Sequence, residues 1–254
     1  NLASVDEYEQ FLFQRIISDI PQCLVENYSE LKECANKSPY HPKVIATANA
    51  HWANDYFKIL APEKVYTGSR FIVMEHGGSF PPLFDSMQFE QNISHISVVW
   101  CKPYHPKHIQ LPSNKLSGLK HRIKKSEYVT IVGFEPLRYS CRATASAISS
   151  QGLVHFDMVC EVYKKLSPKL TRFLRIKPYP NRGYHFEDRY KDLFGDQVIW
   201  KERNLKKIMG ESKIIICTYP NTTFSEAMYS GVPSMLFYDP YYWETVPVLD
   251  NLLY

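Results

Sequence analysis

The sequence predicts an α/β fold of parallel sheets flanked by helices. Short apolar, β-branched runs alternate with helical stretches through the second half of the chain, as in βα units. The stretch Lys213–Asp239 condenses that pattern into one unit. Ile214–Cys217 has the length of a buried strand, Pro220-Asn221-Thr222-Thr223 is a polar turn, and Phe224, Ala227 and Met228 share one helical face. Gly231 ends the helix, Pro233 follows where no helix can continue, and Ser234–Tyr238 supplies the next strand. The turn is thus expected at a strand's carboxyl end, where open α/β sheets bind ligands.

The other elements follow in order. Residues 3–35 repeat every 3.6 positions through Tyr8, Phe11, Leu12, Arg15 and Ile16, with a break at Pro21 and a second helical piece to Cys34. Ser38–Pro42 is a turn, Val44–Thr47 a strand, and 53–60 a helix. Arg70–Met74 is a strand running into Glu75-His76-Gly77-Gly78-Ser79. Phe80–Met87, with two prolines, reads as loop, and 96–101 as a third strand. The polar, aperiodic stretch Lys102–Lys125 is expected to join two lobes, 1–115 and 116–254. Beyond it come strands at Tyr128–Phe134, Arg172–Ile176 and Gln197–Trp200, and a long loop at Arg138–Gln151. Helices are expected at His155–Leu166, His185–Phe194 and Leu205–Glu211, and a closing one at Trp243–Leu253.

Composition bounds the class. The 254 residues are 44% hydrophobic, with 18 Tyr and 14 Phe, which argues for one large or two moderate folded domains and against disorder. The formal charge of +4 comes without a long basic run, which suits anionic ligands and gives no nucleic-acid signature. Six cysteines, at 23, 34, 101, 141, 160 and 217, form no C-x-x-C pair, and Cys160 and Cys217 fall in expected core elements. Reduced thiols of a cytoplasmic protein fit that pattern. No run reaches the ~18 apolar residues of a membrane span, and no signal peptide opens the chain. Membrane contact is therefore expected to be peripheral at most, on the inner face of the cytoplasmic membrane. The sequence starts at Asn1 without Met, as a fragment or trimmed chain does.

Several motifs bear on chemistry. Gly77 and Gly78 can adopt positive φ and admit a ligand to backbone N–H groups, and His76 titrates near neutral pH, as a general base should. A plain glycine turn with an incidental histidine fits as well. His51 stands at another strand end. Arg138, Arg142 and Lys177 follow strand ends on the side of Thr222, where converging cations can neutralise a diphosphate or phosphodiester. Each alone is equally an ordinary surface charge. The helix start at Asn221, Thr222 and Thr223 offers N–H groups, a positive dipole end and two hydroxyls to a phosphate. Glu226, one turn in, can reach a ribose diol. Thr223-x-x-Glu226 is also the spacing of a capping box, in which the Glu only returns to a backbone N–H. Both uses remain open at this stage. A P-loop, G-x-G-x-x-G, Asp-x-Asp and G-x-S-x-G are all missing, and His105-x-x-His108 has no Cys or carboxylate partners, so no metal site is expected.

Together these residues resemble a known group. TYPNTTFSEAMYSGVPSMLFYDPYYWE, at 218–244, is similar to the donor-side signature of GT-B glycosyltransferases, in which a Glu and a Gly-x-Pro follow a Thr/Ser-rich turn. The likeness is closer still to a bacterial surface-carbohydrate transferase family of lipopolysaccharide and capsule loci. Four motifs carry it in order over residues 45–245: Asn49-Ala50-His51, His76-Gly77-Gly78, Arg138-Tyr139 with Arg142, and Thr218 to Glu226. Two features depart from the pattern. Glu75 stands where the family has Gln, and the short glycine stretch runs into Phe80-Pro81-Pro82.

The resemblance implies two Rossmann-like lobes facing across a cleft, with donor mainly on the C-terminal lobe and acceptor on the N-terminal one. The N-terminal lobe is small for a GT-B fold, which implies that part of it lies outside this chain. The implied activity is transfer of a sugar from a nucleotide-activated donor to a cell-surface polysaccharide or lipopolysaccharide. A glycan or lipid-linked glycan would be the acceptor, with no nucleic acid, no cofactor besides the donor, and no bound metal. The helix start at Asn221–Thr223, with Arg138, Arg142 and Lys177, would stabilise the departing phosphate, and Glu226 would hold the ribose. Gly77 and Gly78 would approach substrate. His76, with Glu90 and His51 behind it, would act as base on the acceptor hydroxyl or touch the transferred sugar. A CDP-glycerol-type polyol-phosphate transferase, a nucleotide-sugar 2-epimerase and a non-catalytic nucleotide-sugar or glycan-binding module are the alternatives.

Overall fold

The computed structural model describes residues 6–77, 84–100, 102–113, 116–117, 126–140 and 146–243, with backbone alone at 84–87. The chain divides into two compact units, Asn1–His76 with Asp85–Pro112, and Gly77–Phe84 with Ser113–Tyr254. Each holds a four-stranded, all-parallel sheet flanked by helices, the expected α/β class.

The first unit opens with α1 (Glu7–Asp19), α2 (Gln22–Val25) and α3 (Tyr28–Asn36). Asp6 starts α1 with a full capping box: its Oδ1 accepts the Glu9 N–H at 2.8 Å, and its own N–H donates to Glu9 Oε2 at 3.3 Å. The helix ends two residues before Pro21, whose ring cannot continue it. Tyr8, Phe11, Leu12 and Ile16 are all exposed, so their period builds the helix without burying a face.

Next come β1 (Val44–Thr47), α4 (Ala50–Ala53), α5 (Asp55–Tyr66), β2 (Arg70–Met74), α6 (Phe84–Ile93), β3 (Ile96–Val99) and β4 (His108–Gln110), in sheet order β1-β2-β3-β4. Phe71 and Val73 alternate onto a core with Ala61 of α5, and Ile45, Phe57 and Val65 pack around them. Two expectations are corrected here. Phe84–Met87 opens α6 instead of closing a loop; Pro81 and Pro82 precede the helix in sequence, so they do not interrupt it. Within the expected lobe connection, Ser97 pairs with His108 and Val98 with Ile109, making a fourth strand too short to show a period.

The second unit contains β5 (Tyr128–Val132), α7 (Gln151–Lys165), α8 (Pro168–Thr171), β6 (Leu174–Lys177), α9 (Phe186–Phe194), α10 (Leu205–Gly210), β7 (Ser212–Cys217), α11 (Thr222–Tyr229) and β8 (Ser234–Leu236). Its sheet order is β6-β5-β7-β8. Both faces are covered, which is why these strands read as continuous apolar runs. Ile131, Leu174 and Ile176 pack with Phe156, Val159 and Tyr190 on one face; Val132, Ile215 and Cys217 pack with Met209, Phe224 and Ala227 on the other. A buried polar chain ties the sheet internally. The Trp200 indole N–H donates to Thr130 Oγ1 at 3.0 Å, which lies 2.6 Å from Ser212 Oγ, and that hydroxyl donates to Ile208 O at 2.7 Å. Gln197–Trp200 is not the strand expected: a 3-10 turn over Asp196–Val198 leads to a single bridge between Ile199 and Ile176. The expected closing helix falls beyond Trp243, outside the described residues. Among the described residues, no helix is long and apolar enough to cross a membrane.

Candidate functional site

In the first unit, the carboxyl edge of the sheet gathers ionisable and aromatic groups. Thr47, the last residue of β1, accepts the Ala50 N–H on its hydroxyl at 2.9 Å, which starts the single turn of α4 and turns the chain at Asn49. That turn carries His51 and Trp52 to α6. His51 Nε2 lies 3.0 Å from Glu90 Oε1, and the Trp52 indole N–H donates to the same oxygen at 3.0 Å. An ionised carboxylate only accepts, so the imidazole proton belongs on Nε2. Nδ1 is then the basic nitrogen, and it is buried without a hydrogen-bond partner among the described residues. The Trp52 ring stacks obliquely on Phe89, centroids 5.0 Å apart, and both rings stay about half exposed.

Glu75 follows β2 directly. Its N–H donates to Val98 O at 2.9 Å and its Oε2 accepts the Trp100 N–H at 2.7 Å, which clamps the ends of β2 and β3 together. Burial pushes its carboxyl pKa up, the Trp100 bond opposes this, and the nearby Glu90 charge adds to the rise. His76 is exposed, and Gly77 is buried with φ +93°, a conformation that requires glycine. Gly78 lies outside the described residues. The structure therefore joins His51 and Glu90, whereas His76 is exposed beside Glu75. Trp52 is the member of this cluster that the sequence did not single out.

In the second unit, the chain leaves β7 at Thr218 and enters α11 through a closed turn. Asn221 is the N-cap: its Oδ1 accepts the Thr222 N–H at 2.6 Å and the Thr222 hydroxyl at 3.1 Å. Thr223 is therefore inside the helix, and its hydroxyl meets Tyr219 OH at 2.9 Å, so the Thr223–Glu226 capping box does not form. Asn is the stronger cap and comes two residues earlier. Glu226 is buried at 7% exposure, while Met228, expected inside, is 48% exposed. Burial pushes the Cys217 thiol up to about 12, with the Glu226 charge adding to the rise.

Behind the turn stands His155 of α7. Its Nε2 is 3.1 Å from Thr218 Oγ1, and that hydroxyl donates to Val132 O at 2.8 Å. The single hydroxyl proton is thereby committed, so His155 Nε2–H is the donor to Thr218. Burial holds its pKa down at about 4, so it stays neutral. Phe134 fills the space in front, with the rings of His155, Tyr179, Tyr219 and Trp243 at 5.0–5.7 Å.

The expected cations divide. Lys177 ends β6 and donates to Pro178 O at 2.7 Å; burial, then the Arg203 charge, lowers its pKa. Arg138 is exposed, with its guanidinium 5.5 Å from the Tyr139 ring centroid. Arg142 lies outside the described residues. No group of three or more His, Cys, Asp or Glu side chains gathers as a metal site among the described residues. His105 and His108 have ring centroids 5.4 Å apart, and His108 Nε2 meets the Gln91 amide at 3.0 Å.

Against known families, the chain matches the LIC12162 family transferase model over residues 1–253. Among curated proteins, none matches it.

Proposed function

The chain belongs to the LIC12162 family of transferases, and on that premise we propose that it moves a sugar from a nucleotide-activated donor to a cell-surface polysaccharide or lipopolysaccharide. The observation that carries this reading is the turn after β7: an Asn221-capped helix with the buried carboxylate of Glu226 one turn in, at the carboxyl end of a parallel sheet. Nucleotides occupy that end of such sheets, with phosphates at a helix N-terminus.

In this reading the second unit takes the nucleotide sugar, with Glu226 toward the ribose diol. The α11 dipole, Arg138 and Lys177 stabilise the negative charge that develops as the anomeric carbon–phosphate oxygen bond breaks. The acceptor hydroxyl forms the new bond to the anomeric carbon, and its proton passes to a general base. In this reading the His51–Glu90 pair supplies that base, and His76 is the second choice. The acceptor is a glycan or lipid-linked glycan, met on the cytoplasmic face of the membrane with peripheral contact only.

A melting-temperature panel of CMP, CDP, UDP, GDP and dTDP, with and without EDTA, tests the reading. A ligand at a hundredfold excess over its dissociation constant adds about 2.7 kcal/mol of stability. One clear responder, followed by glycosyl transfer from the matching nucleotide sugar, supports it. A CDP response with transfer of a polyol phosphate would move the assignment to that chemistry. A folded protein that answers none of the five would overturn it.

A further inference from the structure

We propose that Arg182, set beside Arg138 by the buried carboxylate of Glu135, forms an anion subsite for two adjacent phosphate groups. It deepens the donor reading above and rests on it for the nucleotide alone.

Glu135 follows β5 and is 2% exposed. Its Oε1 accepts the N–H groups of Arg182 at 2.7 Å and Tyr184 at 2.9 Å, and its Oε2 accepts that of Phe186 at 3.2 Å. A buried carboxylate costs several kcal/mol unless its lone pairs are met, and here three main-chain donors meet them. Those donors come from the loop between β6 and α9 and from the first residue of α9. The same loop is folded on itself by Asn181, whose Oδ1 accepts Gly183 N–H at 2.8 Å and His185 N–H at 3.3 Å.

The loops after β5 and β6 are locked together in two further ways. The Arg138 N–H donates to Arg182 O at 3.1 Å. Gly183 has φ +107°, and a Cβ there would stand 3.0 Å from Arg138 Cβ, so the Arg138 stem lies directly on the glycine. From the other side, a Cβ on Gly152 of α7 would fall 2.5 Å from Pro136 Cγ, so the first loop is seated tightly on that helix.

This scaffold brings two exposed arginines side by side and supplies neither with a carboxylate among the described residues. The Arg182 guanidinium rests 5.7 Å from the Tyr179 ring centroid, and that of Arg138 lies 5.5 Å from the Tyr139 ring centroid and 3.5 Å from Gly183 O. Two of the three acids of α9 are engaged elsewhere: Glu187 holds Arg203 at 2.7 Å through both oxygens, and Asp188 faces His185 at 3.6 Å. Two guanidinium groups carried by loops that are bonded to each other can be drawn to one anion. Planar guanidinium forks bind phosphate oxygens in pairs, so two of them on loops bonded to each other suit a diphosphate.

Calorimetric titration with inorganic pyrophosphate, and with the same five nucleotides, tests the subsite in the full chain. Pyrophosphate should bind, and Arg182→Gln should weaken it about tenfold or more without moving the melting temperature. Glu135→Gln should give a similar loss; if that variant does not fold, Arg182→Gln decides. Equal pyrophosphate affinity in wild type and Arg182→Gln, or none in wild type at millimolar concentration, overturns the proposal. Loss of pyrophosphate binding in Arg182→Gln while no nucleotide binds the wild type would keep the subsite and sink the nucleotide reading instead.

Discussion

His51 and Glu90, 39 residues apart in sequence, meet at 3.0 Å, and Trp52 donates its indole N–H to the same carboxylate oxygen. Glu90→Gln keeps an acceptor for both neighbours but cannot balance an imidazolium. Turnover of the proposed sugar transfer should drop about 10²–10⁴-fold, while stability changes by under about 1 kcal/mol. Steady-state kinetics beside melting curves check this, with His76→Ala in parallel. Unchanged turnover in Glu90→Gln and a large loss in His76→Ala would transfer the base to His76.

Capping and the proposed ligand contact fall on different residues at the turn before α11. Asn221→Ala should cost about 1 kcal/mol and lower the melting temperature by about 2–4 °C. Glu226→Gln is isosteric and lies beyond the cap, so it should weaken nucleotide binding about tenfold with a smaller thermal effect. A thermal loss in Glu226→Gln with full nucleotide affinity would assign that carboxylate to structure alone.

Gly152→Ala is a test of packing. Alanine ordinarily favours a helix by up to about 1 kcal/mol over glycine. Here its methyl would meet the Pro136 ring at 2.5 Å, and overpacking of that kind costs about 1–3 kcal/mol. Urea unfolding should show net destabilisation; a stabilised variant would mean that the loop after β5 yields easily.

Acid should loosen the second unit through His155. The unfolded histidine takes a proton near pH 6.5, whereas burial delays this to about 4 in the folded protein. Between those values the unfolded chain binds the extra proton. Stability therefore falls as pH drops from 6.5 to 4, by about 3 kcal/mol, and this contribution is flat above 6.5. His155→Gln keeps a donor for Thr218 and should flatten that slope in urea midpoints measured across the window. An identical slope in the variant would place the titration elsewhere.

The strands Val44–Thr47 and Arg70–Met74 were readable to the residue, because apolar runs between turn residues admit few other readings. The turn–helix–strand unit, with its helix stopped at Gly231 (φ +76°), was equally plain. What stayed hidden depends on contacts across the fold. Helical spacing puts Met228 on the apolar face, but packing against the sheet turned Glu226 inward and Met228 out. Glu135 looks like any loop acid, since its three donors lie 47–51 residues further on. The pairing of His51 with Glu90 is invisible for the same reason. His155 did leave a sign: it keeps register with buried Gly152 and Val159 on one stripe of α7.

Cys160 and Cys217 belong to the two opposite faces of the second sheet, and burial pushes their thiols up to about 11 and 12. Neither can form a thiolate at neutral pH while its face is closed. Their alkylation rates are consequently two independent clocks for breathing of the sheet, one per face, with the exposed Cys34 as the immediate reference. Nucleotide bound at the β7 turn should slow the Cys217 clock first, because that thiol ends the strand from which the turn departs.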